Sequence, residues 1–293
     1  MKKFLVATDF SPHADRALAH ACALAKLFDA ELELFTSAYI PPHLLAAMAT
    51  GLSPAWIQEA RDQATKQLET LQASLRAQGL KATTYLSTDE PSSAICTRAE
   101  EIGADLVAAG TRGHTGIAHV VFGSVAERVA RLAHSPVLTA HDDSPGPGRY
   151  GRLLVPTDFS PDADLALAWA RQLSEKTGAA LVVQHSCDLP VLLAGSPELD
   201  QTSILAAIEK SAREKLASIA KSLTGCKVET VVSHGRPDVS ILDTAESAKA
   251  DLIVMGTRGR TGLAHVVLGS TAERVLRRSH LPVVTLKTRP DAK

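Results

Sequence analysis

The sequence predicts an α/β fold that occurs twice in the chain, with parallel strands separated by helices in each copy. The stretch FLVATDFSPHADRALAHA from Phe4 is repeated as LLVPTDFSPDADLALAWA from Leu153. A second stretch, DLVAAGTRGHTGIAHVVFGSVAERV from Asp105, returns as DLIVMGTRGRTGLAHVVLGSTAERV from Asp251. Short apolar runs alternate with longer helical patterns, which is typical of βαβ units and a parallel sheet. A chain of 293 residues is long enough for two such domains, each with its own core.

The boundary between the copies is predicted from the segment that joins them. Each copy closes with a short apolar run after a proline, HSPVLTA from His134 and HLPVVTL from His280. The intervening HDDSPGPGRYG is rich in Asp, Pro and Gly, a composition that favours a linker. We therefore expect a first domain over residues 1–142, a linker over 143–151 and a second domain over 152–293.

Each copy is predicted to contain five strands and four helices, with Ser, Pro or Asp at the helix starts. The strands of the first copy are expected near Lys3–Thr8, Glu31–Thr36, Thr83–Ser87, Leu106–Ala109 and Val137–Ala140, and its helices near Ala14–Phe28, Pro54–Gln78, Pro91–Ile102 and Ser124–Ala133. In the second copy the strands are expected near Leu153–Pro156, Ala180–Gln184, Val228–Ser233, Leu252–Met255 and Val283–Leu286, and the helices near Asp162–Thr177, Ser203–Leu223, Pro237–Ala248 and Ser270–Ser279.

The loop after the fourth strand is the candidate binding site, because ligands of open parallel sheets bind beyond the carboxyl ends of the strands. It has the same spacing in both copies, G-x-x-G, nine residues, then G-S. Glycine lets a ligand approach the main chain, and the N–H groups of a helix start attract phosphate. The serine adds a hydroxyl and an arginine in the loop adds a counter-charge. The predicted binding residues are Asp9, Gly110, Thr111, Arg112, Gly113, Gly123, Ser124 and Val125, with Asp158, Gly256, Thr257, Arg258, Gly259, Gly269, Ser270 and Thr271 in the second copy.

This G-2x-G-9x-G-S pattern resembles the nucleotide signature of the ATP-binding universal stress protein family, and the resemblance covers both copies nearly end to end. It implies two tandem Rossmann-like domains of the adenine nucleotide alpha hydrolase-like type, each a five-stranded parallel sheet with helices on both faces. It also implies that Asp9 and Asp158 lie near the adenine, the first glycines near the ribose and the later Gly-Ser near the phosphates. The implied cofactor is ATP, ADP, AMP or cyclic AMP, with or without Mg²⁺.

The same resemblance implies that the last strands of the two domains pair in antiparallel fashion, as an intramolecular pseudo-dimer. A homodimer of the whole chain is a further expectation. The implied function is a nucleotide-dependent binding or regulatory protein of the stress response, with a protein partner that the sequence does not identify.

Simpler interpretations of the same residues stay open. The glycine loop could be a tight turn that packs against a helix, and Asp9 and Asp158 could cap the first helix or stabilise a turn. No lysine of the Walker type follows the glycines, and no G-x-S-x-G elbow or metal-ligand cluster stands out, so we expect no catalytic and no metal-binding residues. The alternatives are slow ATP hydrolysis or autophosphorylation at Ser124 or Ser270, and a scaffold with nucleotide in only one copy.

Charge and hydropathy indicate which classes of binding partner to expect. The chain carries 31 Lys and Arg against 32 Asp and Glu, a formal charge of −1, which gives no overall positive field for nucleic acid. No segment approaches the roughly 20 consecutive apolar residues of a membrane span. We therefore expect no nucleic acid partner, no membrane contact and a cytoplasmic location.

Overall fold

The computed structural model describes residues 1–42, 55–111, 123–148, 150–188, 201–259 and 268–288. It divides into two compact units, Met1–Pro147 and Gly148–Lys293. The division falls inside the segment 143–151 that the sequence predicts as a linker.

The first unit alternates strands and helices along the chain. Its described elements are β1 (Lys3–Ala7), α1 (Pro12–Phe28), β2 (Glu31–Ser37), α2 (Ala55–Ala77), β3 (Ala82–Ser87), α3 (Pro91–Glu101), β4 (Leu106–Gly110), α4 (Ser124–Leu132) and β5 (Val137–Ala140). The strands lie in the order β3-β2-β1-β4-β5, and every neighbouring pair is parallel. Consecutive residues of β4 are buried, so both of its faces are covered, as in other sheets with helices on both sides.

The second unit has the same plan. Its described elements are β6 (Arg152–Pro156), α5 (Pro161–Thr177), β7 (Ala180–Cys187), α6 (Gln201–Ser222), β8 (Lys227–His234), α7 (Pro237–Ser247), β9 (Leu252–Gly256), α8 (Ser270–Arg278) and β10 (Val283–Leu286). The order is β8-β7-β6-β9-β10, again with parallel neighbours. The predicted fold class, a five-stranded parallel sheet with helices in each copy, is confirmed.

The first helix of each unit begins at a serine that caps it. The Ser11 hydroxyl accepts a hydrogen bond from the Ala14 N–H at 3.3 Å, and Ser160 does the same for Ala163. A proline follows each serine in the first helical position, where its fixed backbone suits the helix and its missing N–H costs nothing. The local sequence S-P therefore fixes where both helices start.

The last residue of the fourth strand touches the first turn of this helix. A Cβ on Gly110 would lie 2.5 Å from the Ala14 nitrogen and 2.6 Å from the His13 carbonyl carbon. A Cβ on Gly256 would likewise lie 2.8 Å from the Asp162 carbonyl carbon. Only glycine allows the strand end and the helix start to come this close, and this contact brings the glycine loop beside α1 and α5.

The residues that follow β5, Asp142 and Pro145 among them, are held on α1 of the first unit. The Arg16 guanidinium donates to the Asp142 carbonyl at 3.1 Å, and the Asp142 N–H donates to His13 Nδ1 at 3.0 Å. The buried His20 donates through Nε2 to the Pro145 carbonyl at 3.0 Å. Burial is the main reason that the pKa of His20 lies below its ordinary value of 6.5.

Replacing Gly110 by alanine is expected to lower the midpoint of thermal unfolding, because the added Cβ collides with main-chain atoms of α1. Overpacking of this kind costs about 1–3 kcal/mol. The matched control is Gly148→Ala, since a Cβ at Gly148 meets nothing within 4 Å. Equal midpoints for the two variants, measured by circular dichroism, would show that α1 moves aside without cost.

The depressed pKa of His20 predicts a loss of stability in mild acid. An unfolded chain binds a proton at this histidine near pH 6.5 whereas the folded chain does so only at lower pH, so the contribution is complete above pH 6.5 and is lost as the pH falls below it. The free energy of unfolding of the wild type should fall faster between about pH 7 and 5.5 than that of His20→Gln, by at most about 1.4 kcal/mol per pH unit. Urea unfolding measures both, with the exposed His280→Gln as control. Parallel pH curves for wild type and His20→Gln would refute the assignment.

Candidate functional site

The first unit contains a cavity of about 320 Å³ at the carboxyl ends of β1, β2 and β4. This is where the strand order reverses between β1 and β4, the position at which open parallel sheets bind ligands. The cavity is lined by Ala7, Thr8, Asp9, Ala14, Phe35, Thr36, Ser37, Pro91, Ile95, Ala109, Gly110, Gly123, Ser124, Val125 and Ala126. Asp9, Gly110, Gly123, Ser124 and Val125, which the sequence predicts as binding residues, are thus brought together.

Asp9 sits in a tight turn between β1 and α1. Its Oδ1 accepts a hydrogen bond from the Ser11 N–H at 3.0 Å, and the Thr8 hydroxyl accepts one from the Phe10 N–H at 2.9 Å. Phe10 has a φ of 62°, a left-handed conformation that is costly for a large side chain. The two side-chain hydrogen bonds hold this strained turn. Asp9 therefore does stabilise a turn, while Ser11 caps the helix.

The second unit repeats this turn residue for residue. Asp158 Oδ1 accepts from the Ser160 N–H at 3.1 Å, and Thr157 accepts from the Phe159 N–H at 2.9 Å. Phe159 has a φ of 63°. Strain that is kept in both copies and held by the same two bonds marks the T-D-F-S turn as part of the site architecture.

The later glycine of each loop closes the loop onto the strand that precedes it. The Gly123 N–H donates to the Thr111 carbonyl, and the Gly269 N–H donates to the Thr257 carbonyl at 2.7 Å. A Cβ on Gly269 would lie 2.9 Å from that Thr257 oxygen, so glycine is required there. The bond sets the start of α4 or α8 directly beside the end of β4 or β9.

The starts of α4 and α8 offer N–H groups to an anion. Gly123 and Gly269 are the residues before each helix, and neither has a side chain to accept from the first-turn N–H groups. Ser124 and Ser270 follow and are exposed. A helix start without a capping side chain, beside an exposed hydroxyl, has the chemistry that suits a phosphate group.

Two of the predicted binding residues, Arg112 and Gly113, lie outside the described residues. Their counterparts in the second unit are described. A Cβ on Gly259 would lie 2.7 Å from Asp158 Oδ2, so the second glycine of the loop meets the carboxylate of the T-D-F-S turn. The loop and the turn are therefore in direct contact in the second unit.

Arg258, predicted as a counter-charge for a ligand, pairs with a buried carboxylate of its own unit. Its Nε lies 3.2 Å from Asp162 Oδ2, and its Nη2 donates to the Thr288 carbonyl at 2.6 Å. Asp162 is buried and also accepts from the Thr288 N–H at 2.8 Å. In the first unit His13 stands at the position of Asp162 and accepts a hydrogen bond from the Asp142 N–H. The residue at this position of the first helix thus has different partners in the two units.

The structure adds site residues that the sequence analysis did not single out. Phe35, Thr36 and Ser37 reach the cavity from the carboxyl end of β2, and Pro91 and Ile95 from α3. The rule that ligands lie at the carboxyl ends of parallel strands would have indicated the end of β2. Nothing in the sequence pattern distinguished Ile95 from other apolar residues of an amphipathic helix.

A second cavity of about 420 Å³ adjoins the first. It shares Asp9, Thr36 and Ser37 with the first cavity and continues toward α2, where Trp56 and Ile57 line it. Together the two cavities form one cleft that passes over the T-D-F-S turn.

At two positions of the corresponding wall the second unit has larger side chains, and at a third Gln184 replaces Phe35. Met255 stands where Ala109 lines the cavity, and His185 stands where Thr36 does. The His185 ring packs on Phe159 with 4.5 Å between ring centroids, and its Nδ1 donates to the Thr157 carbonyl at 2.7 Å. In the first unit the small Thr36 hydroxyl makes the equivalent bond to the Thr8 carbonyl. Met255 and His185 therefore occupy space that the smaller Ala109 and Thr36 leave open in the first unit.

Glu90 and Arg128 form an ion pair next to Pro91, which lines the first cleft. Glu90 precedes α3, accepts from the Ser93 N–H at 3.0 Å and lies 3.4 Å from the Arg128 guanidinium. Partial burial opposes its ionisation, but the hydrogen bonds from Ser92 and Ser93 outweigh it and lower the pKa of Glu90. Glu90 is therefore a carboxylate that the local structure holds ionised.

The residues that the structure describes contain no group of three or more His, Cys, Asp or Glu side chains placed to hold a metal ion. None of the helices that the structure describes is both long and apolar enough to cross a membrane.

Several known proteins are similar to this chain in sequence and in fold. A universal stress protein from Archaeoglobus fulgidus has a solved structure that covers 97% of this chain and 98% of its own, with a TM-score of 0.74 and 27% identity. A universal stress protein of Mycobacterium tuberculosis is 29% identical over 294 residues, which is 97% of this chain and 95% of the relative. Another from that species is 32% identical over 187 residues, and there the match spans only 62% of the relative.

The family model describes both units. The universal stress protein family matches residues 1–141 and again residues 149–287, so the match is in tandem and takes in nearly the whole chain. The resemblance inferred from the G-2x-G-9x-G-S loops is confirmed, and this chain belongs to the universal stress protein family.

Proposed function

We propose that the first unit binds an adenine nucleotide in the cleft at the carboxyl ends of β1, β2 and β4. The observation that carries the proposal is the convergence of five residues predicted from the sequence on one cavity: Asp9, Gly110, Gly123, Ser124 and Val125. A volume of about 320 Å³ lies at the lower end of the range of roughly 300–1,000 Å³ that small-molecule sites occupy.

The two ends of the cleft suit the two ends of a nucleotide. The start of α4, with its first-turn N–H groups and the exposed Ser124 hydroxyl, is suited to phosphate. The apolar walls from Phe35 and Ile95 suit a flat base, and the exposed carboxylate of Asp9 can accept from an amino group. This is the arrangement that the family resemblance implies, with Asp9 near the adenine and Gly123 and Ser124 near the phosphates.

The second loop is proposed to bind a nucleotide as well, at Gly269 and Ser270. The larger Met255 and His185 occupy space at its wall, so we expect the first unit to bind the base more tightly. Titration with ATP, ADP, AMP and cyclic AMP, each with and without Mg²⁺, measures which nucleotide the chain prefers.

The activity that follows is nucleotide-dependent binding rather than turnover, in a cytoplasmic regulatory protein of the stress response. The pairing of the two domains into a pseudo-dimer and a homodimer of the chain stay predictions.

Exchanging one wall residue between the units tests where the base binds. Ala109→Met should weaken binding of Mg-ATP to the first unit by about tenfold or more, since a side chain longer than a methyl group enters the cavity. Met255→Ala should enlarge the second cleft and strengthen its binding. Isothermal titration of nucleotide-stripped protein measures both, with thermal unfolding as the check on folding. A folded wild type that binds no adenine nucleotide would refute the proposal.

Removing the hydroxyl at each helix start tests where the phosphates lie. Ser124→Ala should weaken ATP binding to the first unit by about threefold to tenfold, since one hydrogen bond contributes about 0.5–1.5 kcal/mol. Ser270→Ala is the matched variant and should leave the first site unchanged. The same samples, assayed for ADP release, address slow hydrolysis. Turnover that survives both serine variants would exclude these hydroxyls from it.

A further inference from the structure

Three arginines of the second unit surround one buried carboxylate. Asp238, at the start of α7, has a side chain that is 1% exposed. Arg236 Nη2 lies 3.0 Å from its Oδ2, Arg278 Nη1 lies 3.4 Å from Oδ2, and Arg274 Nη1 lies 3.6 Å from Oδ1. We call Arg236, Arg274 and Arg278 the arginine cluster.

The Asp238 carboxylate balances only part of the positive charge of the arginine cluster. Three guanidinium groups around one carboxylate leave an excess of two positive charges within the part of the unit that the structure describes. The arginine side chains are 63%, 51% and 54% exposed, so each keeps N–H donors facing solvent. The cluster is therefore open to a second anion.

The first unit shows that the fold does not require this charge. At the corresponding positions it has Glu90, Ser92, Arg128 and Leu132 in place of Arg236, Asp238, Arg274 and Arg278. One arginine there faces one glutamate at 3.4 Å, and the set is neutral. The excess charge thus belongs to the second unit alone, and packing of the two helices does not explain it.

One member of the cluster, Arg236, lies at the start of α7, where positive charge is electrostatically unfavourable, whereas Arg278 lies in the last turn of α8, where the helix dipole favours it. Arg236 is the residue before α7 and makes no side-chain capping bond, so its charge adds to the positive end of the helix dipole. Glu90 in the first unit has the opposite sign and does cap its helix. A bound oxyanion would offset both the repulsion among the arginines and the repulsion from the helix start.

The position of the cluster relates it to the phosphate end of the cleft. In the first unit Pro91 and Ser124 line one cavity, so the starts of α3 and α4 flank the same space. The starts of α7 and α8 correspond to them. Arg274 follows Ser270 by four residues, so it lies one turn further on the same face of α8. Positive charge from the arginine cluster therefore continues along α8 from its uncapped start, whose free N–H groups also attract anions.

We propose that the arginine cluster is a binding site for an oligophosphate, and that it gives the second unit a preference for ligands with several consecutive phosphate groups. Guanidinium groups bind phosphate oxygens through paired, charge-assisted hydrogen bonds. The first unit, which is neutral at this position, discriminates little between one phosphate and three. A preference of the second unit for nucleotides with several phosphates rests on the proposed function. Binding of an oligophosphate to the arginine cluster does not.

The test uses inorganic tripolyphosphate, with orthophosphate as the comparison, titrated calorimetrically into the full chain at low and at high salt. Wild type is expected to bind tripolyphosphate at least about tenfold more tightly than orthophosphate, and the binding should weaken as salt rises. The triple variant Arg236→Glu/Asp238→Ser/Arg278→Leu, which carries the residues of the first unit, should lose this binding by about tenfold or more.

Two further variants keep the test independent of folding. Arg274→Gln leaves Asp238 paired with two arginines and should weaken tripolyphosphate binding without changing the thermal midpoint. Glu90→Arg/Leu132→Arg should create a preference for tripolyphosphate in the first unit. Absence of tripolyphosphate binding at low salt, or binding that the triple variant leaves unchanged, would overturn the inference.

The outcomes also separate this inference from the proposed function. Tripolyphosphate binding without binding of any adenine nucleotide would support the arginine cluster and refute the nucleotide proposal. ATP binding that depends on Ala109, together with no tripolyphosphate binding, would support the nucleotide proposal and refute the cluster.

Discussion

The contact between the end of the fourth strand and the first turn of the first helix sets the geometry of both units. Gly110 and Gly256 lie so near the helix backbone that a Cβ would be 2.5 to 2.8 Å from main-chain atoms. Because the helix start is held there, the T-D-F-S turn before it stands beside the glycine loop. The cleft of the first unit is the space left between that turn and the start of α4.

The same contact explains why glycine has two uses in one motif. Gly110 lines the cavity and also admits the helix, so a ligand role and a packing role do not compete at this position. Gly269 is required by the Thr257 carbonyl, and Gly259 lies against the Asp158 carboxylate. The spacing G-2x-G-9x-G-S is thus a set of close approaches within the protein, which in turn leave a helix start open to an anion.

The two units keep this frame and differ in the side chains around it. The strained turn and the bond from the later glycine to the threonine carbonyl occur in both. The first unit has Ala109 and Thr36 at the cleft wall and a Glu90–Arg128 ion pair beside it, whereas the second has Met255, His185 and the arginine cluster at the corresponding positions. Since the backbone contacts are met in both copies, these side chains are free to set different ligand preferences.

The sequence by itself determined the order and type of the elements, the duplication and the position of the loop. These depend on local features: the apolar runs, the S-P helix starts at Ser11 and Ser160, and glycines at fixed spacing. Predicted strand and helix bounds differ from the structure by a few residues because element ends depend on hydrogen bonds to neighbours.

Only the tertiary structure decided which side chains meet. It placed Ile95 in the cleft, paired Arg258 with the buried Asp162, and brought Arg274 and Arg278 of α8 to the Asp238 carboxylate of α7. The partners in each case come from elements far apart in the chain. Their distances depend on how strands and helices pack, and no local pattern in the sequence encodes that packing.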